Sequence, residues 1–176
     1  ARITAGAEPG SAERAAGPLP RPVDFGYVWG DALEELRTRA PQARIVNLET
    51  AVTLAEDPWP GKGIHYRMHP RNVACLAAAG IECCVLANNH VLDWGHAGLE
   101  ETLDTLQRAG LRTAGAGRDA EDAAAPAVIE WAAGGRALVV FNHEWTFYRE
   151  HLALIPAVWV GGLATHGLLA GGFLGV

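Results

Sequence analysis

The most constraining feature of this chain is the run Ile81-Glu82-Cys83-Cys84-Val85-Leu86-Ala87, which passes directly into Asn88-Asn89-His90-Val91-Leu92-Asp93. A near-continuous apolar stretch of strand length is what a sheet covered on both faces requires. The polar cluster that ends it falls where α/β sheets place their ligand sites, outside the carboxyl ends of the strands. The surrounding pattern agrees. Arg44–Leu48 reads as a strand ending in Asn47-Leu48-Glu49. Asp31–Ala40 reads as a helix with Asp31 as its N-cap, Leu33 and Leu36 on one face, and Pro41 as its stop. Pro70 suits a first helical turn that Gly80 closes, and a longer helix carries Leu99, Leu103 and Leu106 up to Gly110. Leu111–Ala114 is a further short strand, Asp119 caps a small helix, and Ala127–Trp131 with Arg136–Phe141 forms a hairpin. Strands alternating with helices predict βαβ units and a largely parallel core, so the fold class is α/β.

Three regions follow. Residues 1–23, rich in Ala, Gly, Pro and Arg, read as an N-terminal arm with a short helix at Ala12–Ala16. Residues 24–141 carry the regular pattern. Residues 142–176 form an apolar C-terminal tail, in which Leu152–Val176 has six glycines and no Asp, Glu, Lys or Arg. That segment is long enough to span a bilayer. Pro156 and the paired glycines argue instead for strands and loops, and membrane association stays open as a partner class. A length of 176 residues suits one domain. The net charge of −6, with the Lys and Arg residues scattered, excludes a nucleic-acid binder. Cys75, Cys83 and Cys84 give neither a disulfide framework nor a CxxC spacing and read as small buried hydrophobes. Residues 1–22 lack a signal-peptide pattern, which leaves cytoplasmic and cell-envelope locations both open.

The chemistry-bearing residues sit at strand ends. An Asn oxygen ligates hard or borderline divalent metals, and a His beside it can donate a proton or stabilise developing charge. Asp93, three residues after His90, is placed to orient the imidazole. If the two strands are neighbours, Glu49 and Asn89 meet at one sheet edge, where a carboxylate, an amide and a His form a divalent site. The plainer alternative is that Asn88 and Asn89 cap the next helix, His90 is a core histidine, and Glu49 pairs with an Arg. Asn142-His143-Glu144, after the last predicted strand, is a weaker candidate of metallophosphoesterase type. Gly115-Ala116-Gly117 is a weak nucleotide-binding signal, since it lacks a third glycine and comes late in the chain.

Ile45-Val46-Asn47-Leu48-Glu49-Thr50, then Lys62, Pro70 and Ala79-Gly80-Ile81, occur in a fixed order. They are followed by Ala87-Asn88-Asn89-His90-Val91-Leu92-Asp93-Trp94-Gly95 with Gly98, Thr102 and Leu106, by Ala109-Gly110, and by Gly115-Ala116-Gly117-Arg118. This series resembles the bacterial capsule-synthesis CapA family, associated with poly-γ-glutamate. The resemblance implies a metallophosphatase-like α/β/β/α sandwich acting on a capsule polymer or its precursor, as a metal-dependent hydrolase. By the same resemblance Glu49 and Asn89 are metal ligands for an ion of the Mn, Zn or Fe type. His90 is then the general acid or oxyanion stabiliser, supported by Asp93, and Asn47, Asn88 and Lys62 contact substrate. The family's opening strand ending in Gly-Asp is unmatched, so its aspartate is expected upstream of residue 1. Its late histidine motifs are unmatched after Phe141. The metal site is therefore expected to be incomplete in this copy. The alternative is a non-catalytic remnant of the fold that binds polymer or a partner, with possibly no metal bound.

Overall fold

A computed structural model describes residues 17, 18, 20, 22–131, 135–139, 161–164 and 167–169. A single turn of 3₁₀ helix at Tyr27–Trp29 leads into helix α1 (Ala32–Arg39), whose exposed face carries the pairs Glu34–Arg37 and Glu35–Arg39. Asp31 opens α1 through its carbonyl, which accepts from Glu34 N and Glu35 N; its side chain makes no cap bond. Strand β1 (Ile45–Asn47) follows, then β2 (Ala51–Val52), β3 (Arg67–Met68), a 3₁₀ turn at Pro70–Val73 and helix α2 (Ala74–Ala78). Strand β4 (Cys83–Val85) leads to the long helix α3 (Gly95–Arg108), strand β5 (Arg112–Ala114) and the short helix α4 (Ala120–Ala124). Four antiparallel strands close the order: β6 (Ala127–Trp131), β7 (Gly135–Val139), β8 (Gly161–Ala164) and β9 (Gly167–Leu169).

The central sheet is parallel in the order β1-β4-β5, with Ile45 opposite Cys83 and Cys83 opposite Arg112. Strands β2 and β3 form a separate parallel pair. The fold is thus α/β with parallel sheets, and an antiparallel sheet in the order β6-β7-β8-β9 is added to it. The predicted hairpin is present as β6 and β7, with Glu130 opposite Arg136. Strands β8 and β9 lie inside the apolar tail, which is therefore not one continuous helix. Among the described residues no helix is long and apolar enough to cross a membrane.

The core explains why the elements sit where they do. All three residues of β4 are buried, as are Leu99, Leu103 and Leu106 on one stripe of α3. Thr102, on the same stripe, accepts from Val52 N at 2.9 Å and donates to Gly98 O at 2.7 Å, which ties α3 to β2. Arg44 joins the layers at the other end. Its guanidinium donates to Leu36 O and Ala79 O, near the C-termini of α1 and α2, where a cation also answers the helix dipoles. Burial pushes the thiols of Cys83 and Cys84 up to about 11 and about 12, so neither is a nucleophile near neutral pH.

The Gly115-Ala116-Gly117 segment serves packing. Gly115 has φ +85° and lies against Ala87, and a Cβ on Gly117 would come within 2.2 Å of Ala123 N. The neighbour is backbone that cannot move aside, so Gly117→Ala is expected to cost about 1–3 kcal/mol, read as a lowered urea midpoint. A second prediction concerns acid. The hydroxyl of Thr53 donates to Glu101 at 2.5 Å and Leu54 N donates to the same oxygen at 2.8 Å. The Thr53 bond leads in holding the Glu101 carboxyl below its ordinary range. A depressed carboxylate stabilises the fold above its unfolded pKa, about 4.3, and that contribution is lost as pH falls through the lower folded value. Thr53→Val is expected to flatten the stability–pH curve in this acidic window, measured by urea titrations from pH 6 downward.

Candidate functional site

Parallel pairing of β1 and β4 brings their carboxyl ends side by side, and a clamp made by Asn88 holds them there. Its Nδ2 donates to Asn47 Oδ1 and to Leu48 O, both at 3.1 Å, while its Oδ1 accepts from His90 N at 3.0 Å. The amide is fully engaged within the fold and its residue is buried. Beyond it the chain turns tightly: Val91 N donates to Asn88 O, Asp93 N to His90 O and Gly95 N to Leu92 O. These turns set His90 and Asp93 facing each other.

Asp93 is the centre of the cluster. Its side chain is 0% exposed, and His90 Nδ1 donates to its Oδ2 at 2.8 Å. Tyr66 N donates to the same oxygen at 2.5 Å, and Lys62 Nζ forms an ion pair with Oδ1. With Nδ1 committed to a carboxylate, the other ring nitrogen, Nε2, lies 4.0 Å from Glu49 Oε1. Glu49 is exposed and accepts from Asn47 Nδ2 at 3.0 Å, so the open side of the site is Asn47 and Glu49 and its inner side is His90 and Asp93.

Of the residues expected from sequence, Asn47, Glu49, Lys62, Asn88, His90 and Asp93 come together. Asn89 joins through its backbone carbonyl, which accepts from Lys62 Nζ; its half-buried side chain has no described bond. Lys62 turns inward, and its Nζ also lies 3.4 Å from His90 Nδ1. Asn142-His143-Glu144 lies outside the described residues. Sequence reasoning passed over the aromatic surround. The ring of Tyr66 stacks on His90 at 4.0 Å and 23°, Trp94 Nε1 donates to Tyr66 O, and Trp59 N donates to Asp93 O. The only local signal for these residues is the density of Trp, His and Tyr between 59 and 66.

Glu49 and His90 Nε2 are close enough to share one ion, but a catalytic divalent site takes about three protein ligands before water. Among the described residues no group of three or more His, Cys, Asp or Glu side chains is placed to hold a metal. The residues described here do not by themselves fit a catalytic metal.

The class defined by this arrangement is an α/β protein with parallel sheets and a buried His–Asp–Lys cluster at its strand ends. The chain belongs to the bacterial capsule synthesis protein family PGA_cap, which it matches over residues 4–157. It is 41% identical over 133 residues to probable polyglutamine synthesis accessory proteins of Mycobacterium tuberculosis strains CDC 1551 and H37Rv. That match covers 76% of this chain and 32% of each relative, so the chain spans about a third of their length. A 54-residue stretch is 44% identical to a phosphatidylglycerol–prolipoprotein diacylglyceryl transferase of Leptothrix cholodnii, covering 31% of this chain and 20% of that protein.

Removing one charge from a buried ion pair strands the other without compensation. Asp93→Asn is therefore expected to destabilise the protein by about 3–5 kcal/mol, measured by urea denaturation. Glu49→Gln, at an exposed position, is expected to stay within about 0.5 kcal/mol.

Proposed function

We propose that this chain is part of a capsule-polymer biosynthesis or processing domain of metallophosphatase-like α/β/β/α build, whose chemistry is hydrolytic and whose proton-handling residue is His90. One observation carries the reading: Nδ1 of His90 is bound to a fully buried carboxylate at 2.8 Å while Nε2 faces outward toward Glu49. Asp93 orients the ring and fixes its tautomer. Nε2 is then the atom that gives a proton to, or takes one from, a phosphoryl or carbonyl group at the mouth of the site. Asn47 and Glu49 line that mouth, where they can contact the polymer or its precursor. Lys62 acts from behind, by holding Asp93 and the Asn89 carbonyl.

A second reading, a non-catalytic module that binds polymer or a partner, is favoured by the short donor set and by the low exposure of His90, 6%. Metal titration and turnover separate the two. We expect weak or no binding of Mn²⁺ and Zn²⁺ by calorimetry, and a slow hydrolysis of phosphoester or polymer substrates that falls at least ~100-fold in His90→Gln. No hydrolysis by the unaltered protein supports the binding module. Tight stoichiometric metal binding, abolished by both Glu49→Gln and Asn89→Ala, would show that further residues complete the site.

A further inference from the structure

Strands β2 and β3 are joined by residues 53–66, a connection that contains no helix or strand. Connections of this length within a compact domain are uncommon and are usually functional, since ordering them costs entropy that other contacts must offset. The base of this one is closed. Thr53 N donates to Met68 O at 3.1 Å, Arg67 Nη1 donates to Ala55 O at 2.7 Å, and Trp94 Nε1 donates to Tyr66 O at 2.9 Å. A surface loop whose ends lie together is a compact unit.

Beyond its base the loop is fastened chiefly to one residue. Trp59 N donates to Asp93 O, Tyr66 N donates to Asp93 Oδ2, and Lys62 Nζ pairs with Asp93 Oδ1 while reaching Asn89 O. The bond from His65 Nε2 to Trp59 O lies within the loop and travels with it. Trp59 packs against the core, but no side chain from Leu54 to Tyr66 is fully buried, and Leu54, Ile64 and Tyr66 are exposed. Few buried apolar contacts and an attachment centred on one residue characterise a segment that opens locally, well short of global unfolding.

What the loop covers is His90. The Tyr66 ring stacks on the imidazole at 4.0 Å, Lys62 Nζ lies 3.4 Å from Nδ1, and His90 is left 6% exposed. Opening need not strand Asp93. His90 Nδ1 can stay bonded to it, and water can take the places of Lys62 and of Tyr66 N.

We propose that residues 56–66 form a strap that opens as a unit, with the Lys62–Asp93 ion pair as its latch, and that a substrate meets His90 only in the open state. This deepens the acid–base reading of His90 and rests on it for what the opening admits; the opening itself does not need it. The low exposure of the imidazole then belongs to the closed state alone. Closure brings Tyr66 back over the ring and shuts water out of the ion pair, as loop closure does at other sites.

Native-state amide hydrogen exchange on the unaltered chain tests this without turnover. The Trp59 and Tyr66 amides are expected to exchange together, through one opening that small additions of urea leave unchanged. The Leu48 and Leu86 amides, which bond across the parallel sheet, are expected to exchange more slowly. Lys62→Met is expected to speed the first pair at least ~10-fold relative to the second, because it leaves Asp93 without its cation. Should that variant fail to fold, Gly63→Ala gives the opposite sign. A Cβ there meets nothing within 4 Å and the φ lies outside the left-handed region, so restricting the open state is expected to slow the same two amides about two-fold. Acylation of His90 by diethyl pyrocarbonate, read peptide by peptide, is expected to follow these amides in each variant. Exchange of Trp59 and Tyr66 only together with the core, unrelated rates at the two amides, or His90 acylation indifferent to both substitutions would overturn the strap. The two readings fail separately: turnover that survives in His90→Gln faults the acid–base role and leaves the exchange result standing.

Discussion

A carboxylate without solvent has to find its stabilisation inside the protein, and in this chain the arrangement around Asp93 follows from that requirement. Its two oxygens take an imidazole N–H, a backbone N–H and an ammonium, from residues up to 31 positions away. Desolvation makes such a charge costly when any partner is missing, and the interior strengthens each bond that is made. One residue therefore sets the orientation of His90, the entry of the chain into β3 and the path of the loop between β2 and β3. The loop has other ties besides: Thr53 and Leu54 on Glu101 at one end, Trp59 N on Asp93 O and His65 Nε2 on Trp59 O within it, and Arg67 Nη1 on Ala55 O at its close.

The elements themselves were readable because their signals are local. The apolar run 81–87 contains β4, the leucines at 99, 103 and 106 mark the buried stripe of α3, and Asp119 caps α4 by accepting from Asp122 N. Strand lengths were overestimated, since the ends continue as single bonds such as Leu48 N to Val85 O and Leu86 N to Ala114 O. The pairing of β1 with β4 was also legible, because neighbouring strands with polar endings share an edge, whereas it is His90 and not the expected Asn89 side chain that is described beside Glu49.

The surroundings of the imidazole were not. Nothing in the spacing around Lys62 says that its ammonium turns inward to a carboxylate 31 residues on, and nothing around Tyr66 says that its ring lies on His90. Both follow from the closure of a loop rich in Pro and Gly, whose backbone path leaves no periodic trace. Asn88 shows a related ambiguity. An amide at a strand end reads equally as a ligand or a brace, and only the three-dimensional arrangement shows that both of its hydrogens and its oxygen are engaged with the fold.

Asn47, Glu49, Lys62, Tyr66, Asn88, His90 and Asp93 all fall within 48 consecutive positions, 47–94, and their bonds to one another need no atom of the strands β6 to β9. The cluster around Asp93 is thus a contiguous cassette, supported from beneath by β4 and α3. A recombination event cutting outside those positions would carry the cluster whole into a new context.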